Sequence, residues 1–171
     1  MAEIKSTLDL IMERTKDLTL TDEEKKFIQR KEWEGKVKGW VQKFMDDLID
    51  IHHLKSDLRT QSSEYPEIRQ LLKMELLENI QPDRDNGRIF QLFEEVLNFP
   101  SKSLKNMIKS FSKDVKIEAM KRMDSRREEL RDKKIYGSSV IPNLHSDDRF
   151  LKFIEQRKTG FKQQVMTVSS S

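Results

Sequence analysis

Four side chains on a predicted second helix come nearest to a metal-ligand set. Asp46, Asp50, His53 and Asp57 stand four, three and four apart, so at about 100° per residue they fall within about 60° of one another on one helix face. Three carboxylates and an imidazole in line have the donor chemistry for a divalent ion, and Asp50-x-x-His53 has the form of half a carboxylate-bridged di-iron site. A complete site of that kind needs a second motif, and the other histidines are His52 and His145. The line also lies about 180° from the apolar stripe of Trp40, Phe44 and Leu48. A solvated acidic face with no metal and no cofactor is therefore the expectation, and a divalent-metal protein the alternative.

Two further patterns invite chemistry and fail on register. Asp83-x-Asp85-x-Gly87 with Glu94 at the twelfth position offers calcium's alternating oxygens, but glycine belongs at position 6 and stands at position 5. A helix-to-helix turn is the better reading. Ser110-Phe-Ser-Lys113 matches the S-x-x-K of acylating serine enzymes, yet it sits mid-helix and the chain has no companion S-D-N or K-T-G. No nucleophile elbow, P-loop or dinucleotide fingerprint occurs. The chain is expected not to be an enzyme, with no small-molecule substrate evident.

A different chemistry lies on a predicted fifth helix. Lys102, Lys105, Lys109, Lys113 and Lys116 advance by three, four, four and three, which aligns five ammonium groups within about 80°, opposite an apolar stripe of Leu104, Ile108, Phe111, Val115, Ala119 and Met123. Such a ridge can follow nucleic-acid phosphates with salt-dependent affinity, rest on an anionic surface, or meet the acidic face of another copy. The ridge itself holds no arginine for bidentate base readout and no interleaved aromatic for stacking, so binding there is expected to be non-specific.

Trp33 and Trp40 read as core or interface anchors. Gly35 and Gly39 lie four apart on the opposite face of the same helix, where each costs roughly 1 kcal/mol against alanine. They mark either a local break or a smooth groove for a second helix.

These residues need long helices to position them, and the composition supplies little else. Charged residues make up 37% and apolar ones 35%, with 5 Gly, 4 Pro and no Cys in 171 residues. So few turn formers demand long elements. Absent cysteine excludes disulfides, thiolate metal sites and thiol nucleophiles. No uncharged run approaches the roughly 18 residues of a membrane helix, so no membrane insertion and a cytoplasmic location are expected. Net charge is only +3, but it is unevenly spread. Residues 1–100 carry 16 Lys+Arg against 21 Asp+Glu, whereas residues 101–136 carry 12 against 6.

The periodicity predicts an all-α, elongated bundle of five to six helices, two of them long. Ile4, Leu8, Ile11 and Leu18 define a short first helix. Thr21-Asp22-Glu23-Glu24 reads as a capping box opening a second. Trp33, Val37, Trp40, Phe44, Leu48, Ile51 and Leu58 then carry one stripe, predicting a continuous helix to about Leu58, roughly 55 Å long. Ile68 to Ile80 is apolar nearly all round and should be central. Ile89 to Leu97 forms a fourth helix, and the fifth runs on through Asp124 to Lys134, nine of whose eleven residues are charged, to Gly137 as its C-terminal stop. A last short helix carries Phe150, Phe153 and Ile154 and closes at Gly160. One domain over 1–160 with a flexible tail over 161–171 is the predicted organisation.

The opening MAEIKSTLDLIMERTK together with KEWEGKVKGWVQKFMDD, in which Trp33, Gly35, Gly39 and Trp40 are the most distinctive residues, resembles a family of uncharacterised bacterial proteins of about this length, a domain of unknown function. The resemblance implies a small, mostly helical bacterial cytoplasmic protein and brings no activity, cofactor or catalytic residue with it. From the residues themselves the expectation is a non-enzymatic interaction or structural protein, self-associating because two helices near 50 Å outrun the core of a monomer. A nucleic-acid or anionic-surface binder working through the lysine ridge is the alternative.

Overall fold

Thr21 starts the first described helix by the predicted capping box. The Glu24 N–H donates to Thr21 Oγ1 at 3.2 Å, and the Thr21 N–H donates to the Glu24 carboxylate at 2.7 Å. The computed structural model describes residues 21–168; the predicted first helix lies outside them. Six α-helices follow: α1 Asp22–Met45, α2 Ile51–Gln61, α3 Ile68–Asn79, α4 Gly87–Gln91, α5 Lys102–Asp132 and α6 Asp148–Thr167. A π-turn, Leu92–Val96, extends α4, and a 3-10 turn, Leu144–Ser146, leads into α6. No strand occurs among the described residues, so the fold is an all-α bundle.

The predicted helix from Asp22 to Leu58 is two helices. Met45 ends α1 in a Schellman motif: Asp47 takes the left-handed conformation at φ 59°, its N–H bonds to Phe44 O at 3.2 Å, and the Leu48 N–H bonds to Lys43 O at 2.8 Å. Arg88, 44 residues away on α4, completes the stop. Its guanidinium donates to Phe44 O, pairs with Asp47 and lies over the Phe44 ring at 4.7 Å. Asp50 then caps α2, its Oδ1 accepting from the His53 N–H at 2.7 Å. Of the predicted stripe, Trp33, Val37 and Phe44 on α1 and Leu58 on α2 are buried and Trp40 and Ile51 half-buried, while Val41 and Leu54 join the core beside them. Leu48, placed in the stripe by its spacing, is 71% exposed in the turn. At 24 residues α1 spans about 36 Å, so among the described helices only α5 is truly long.

Nor does the chain break at Gly35 and Gly39. The helix runs straight through both, and a Cβ added at either would meet nothing within 4 Å. Trp33 is buried and stacks on Tyr65 with ring centroids 5.6 Å apart, while Trp40 packs at the edge of the core. As its pattern predicts, α3 is central: Ile68, Leu71, Leu72, Leu76 and Leu77 are buried, and the helix meets α1, α2, the π-turn and α6.

Gly160 does not close the last helix, and Phe161 does not begin a tail. Helix α6 continues to Thr167, with Phe161 4% and Val165 2% exposed inside the main core. Phe161 meets Phe111 edge-on at 5.8 Å. A mid-helix glycine costs roughly 1 kcal/mol, against about 1.5–3 kcal/mol for each large apolar side chain buried beyond it. At the far end, α5 stops at Asp132 rather than at Gly137. Lys134 takes the left-handed position at φ 61°, with the Ile135 N–H on Leu130 O at 2.9 Å.

These helices divide into a core and an arm. Leu104, Phe111, Phe161 and Val165 join α5 and α6 to the main cluster, whereas Phe150, farther out, is buried outside it. Beyond Val115 the two helices run antiparallel as a projecting hairpin closed by residues 133–147.

The break at Asp46 predicts opposite behaviour for two leucines on the former stripe. Leu48→Ser should change the free energy of urea unfolding by less than about 0.5 kcal/mol, and Leu58→Ala should cost about 2–5 kcal/mol. A continuous helix would make both substitutions costly.

Candidate nucleic-acid interface on α5

Helix α5 sorts its charges by face. Asp114 pairs with Arg157 across the seam with α6, while within α5 Glu118 pairs with Arg122 at 2.9 Å and the exposed Glu129 with Arg126 at 2.7 Å. Arg126 also reaches Asp147 at 3.1 Å. Asp147 is buried and caps α6, its Oδ1 accepting from the Arg149 and Phe150 N–H groups at 2.9 and 3.1 Å. The Phe150 N–H, with help from Arg126, holds the Asp147 carboxyl below the usual carboxylate range despite burial.

The outer face keeps the cations. Lys102, Lys109, Lys113 and Lys116 are exposed and have no ion-pair partner among the described residues. Lys105 is different. Its Nζ lies 2.7 Å from Glu94 and 5.1 Å from the centre of the Phe90 ring. Glu94 also accepts the buried Ser101 hydroxyl, and Lys105 is the chief reason its carboxyl sits below the usual range. The ridge as predicted is thus four free lysines and one that fastens the start of α5 to the π-turn.

Two basic residues that the spacing of the lysines did not reveal extend the ridge. Counting 100° per residue from Lys116, the same line passes through Met120 and Asp124 and resumes at Arg127 and Arg131. The signal was present in the steps of four, four, three and four, but Met120 and Asp124 interrupt the basic run. Asp124 is the one carboxylate on this outer line, 3.7 Å from Arg127, and Arg131 has no ion-pair partner among the described residues. From Lys102 to Arg131 the basic line runs about 44 Å at 1.5 Å per residue.

The other predicted sites are not brought together. Asp46 lies at the end of α1 and accepts from Gln42 at 2.9 Å; Asp50 is the cap of α2; His53 Nε2 and Asp57 stand 3.5 Å apart on α2. The single face that would align the four is interrupted between its first two members, where one helix ends and the next begins. Among the described residues, no group of three or more His, Asp and Glu side chains is placed to hold a metal ion. The Asp83–Gly87 segment is a turn braced by buried Asn86, whose side chain bonds Gln81 N and O and Arg84 O, while Asp83 pairs with Lys158 at 2.7 Å. Ser110 and Lys113 are exposed on the helix surface. No described helix is long and apolar enough to cross a membrane.

The Asp147 cap predicts an acid-sensitive arm. A carboxyl whose folded pKa is lowered contributes stability above its unfolded value of about 3.9 and loses it as pH falls through the folded one. Amide exchange protection of Arg149 to Leu151 should hold from pH 7 to about 5 and decline below about pH 4. In Asp147→Asn, which keeps a capping oxygen without the charge, that decline should vanish. A parallel decline in both proteins would contradict this account.

Compared with protein-family models, with curated proteins and with solved structures, the chain finds no match.

Proposed function

We propose that this is a non-catalytic nucleic-acid-binding protein that follows a phosphate backbone with the outer face of α5. One observation carries the reading: a straight line of cations about 44 Å long, most of them unneutralised, with Asp124 the one carboxylate along it. A linear polyanion presents charge along that whole length. A folded acidic protein presents shorter, curved patches with both signs interspersed. Lysine ammonium groups act as point charges without the forked geometry that reads a base edge, so the grip is tolerant of sequence.

Fluorescence anisotropy with a labelled 30-base-pair duplex tests it. Five free cations, Lys102, Lys109, Lys113, Lys116 and Arg131, imply that log K falls against log salt with a slope of about −4 to −5. Reversing Lys109, Lys113 and Lys116 to Glu should abolish binding at 50 mM salt. Failure of the unmodified protein to bind at that salt would overturn the reading.

Self-association is a second reading, and α1 supplies the observation that favours it. Its first three turns stand clear of the core with Phe27 62% and Ile28 42% exposed. Sedimentation at tens of micromolar should then show a dimer that Phe27→Glu disperses; a monomer at that concentration ends this reading.

A further inference from the structure

The far end of the basic line is not a plain helix face. Lys134, in its left-handed conformation, reverses the chain so that Ile135 and Tyr136 come to lie beside the last two turns of α5. Together with Arg127, Arg131 and Val140 they line an open groove of about 690 Å³, within the range that holds a drug-sized ligand. Gly137, at φ 145°, takes a backbone conformation that side chains resist, and the Val140 N–H closes the loop on Gly137 O at 3.2 Å. Tyr136 is 75% exposed, although an unengaged aromatic ring gains by being covered.

The contents of this groove are specific in kind. A planar ring and a branched aliphatic side chain offer a stacking surface, and two guanidiniums on the adjacent turns offer bidentate donors for a phosphate. Arg131 has no carboxylate partner among the described residues, and Arg127 has only Asp124, at 3.7 Å. A base with its own phosphate fits that combination. In a duplex the bases are stacked inside and cannot reach a side chain lying at the end of a helix. An unpaired one can.

The geometry points to a single-strand site at the tip of the arm, where Tyr136 stacks an unpaired base while Arg127 and Arg131 hold the neighbouring phosphate. The inference takes its partner, nucleic acid, from the reading of α5 as a phosphate-following face. On that footing the lysine line holds backbone of either form, and the groove confers a preference for an unpaired segment.

A labelled pentathymidylate, measured beside the 30-base-pair duplex, tests the groove separately from the ridge. The pentamer should bind the unmodified protein and also the variant with Lys109, Lys113 and Lys116 reversed to Glu. Tyr136→Ala should weaken it by about 5- to 150-fold, the range that loss of one base–aromatic stack gives, with Tyr136→Phe close to wild type and duplex binding unchanged in both. Because Tyr136 is largely exposed, helicity by circular dichroism should be the same in all three proteins. Duplex binding without pentamer binding at millimolar concentration, or equal pentamer affinity in Tyr136→Ala, overturns the groove and leaves the ridge standing. Pentamer binding that depends on Tyr136, without duplex binding, supports the groove and removes the ridge.

Discussion

Two charge pairs that cross from α5 to α6, Arg157 with Asp114 and Arg126 with Asp147, are the interaction on which the exposed half of this molecule depends. Arg122 and Arg126 also pair with Glu118 and Glu129 of α5 itself, four and three residues away. Ion pairs at a surface are individually weak, worth about 0–1 kcal/mol. Their value here is directional. The two that cross, Arg157 with Asp114 near the base of the arm and Arg126 with Asp147 near its tip, hold α5 and α6 in one register. The opposite face of α5 then carries Lys102, Lys109, Lys113, Lys116, Arg127 and Arg131, with Asp124 as its one carboxylate.

Closure of the helices follows from the scarcity of glycine. With five glycines in the chain, α1, the π-turn and α5 end with Asp47, Asn98 and Lys134 in the left-handed conformation, at φ 59°, 53° and 61°. A left-handed residue other than glycine costs on the order of 1 kcal/mol and is sustained where its surroundings hold it. At Asp47 the surroundings are Arg88, which pairs with the carboxylate and donates to the carbonyl of Phe44. At Asn98 the Phe99 N–H returns to Phe93 O at 2.8 Å, and Phe99 packs on Phe93 with centroids 5.6 Å apart. The stop at Lys134 creates the groove, because it sends Ile135 and Tyr136 back along α5 instead of onward into solvent.

Much of this architecture is written in local spacing. The capping box at Thr21, the stripes of α3 and α5, and the outward position of the lysines need only the helical repeat and a few side-chain oxygens. The failures lie where a distant residue decides. Leu48 falls on the same stripe as Phe44 and Leu58, and no local rule reveals that Arg88 closes the helix before it. Gly160 is a reasonable helix stop until Phe161 and Val165 find the core cluster beyond it. Asp46, Asp50, His53 and Asp57 share a face on paper because a projection assumes one unbroken axis.

What the sequence determined by itself was the helical class, the faces of its helices and the placement of cations along one of them, since these depend on residues within a turn or two. Where helices end, which of them continue past a glycine, and which side chains meet at the arm's tip were decided by the tertiary structure. The reason is physical. A helix's periodicity records its own faces, whereas its termination and its neighbours depend on contacts such as Arg88 with Phe44 and Arg157 with Asp114, 44 and 43 residues apart.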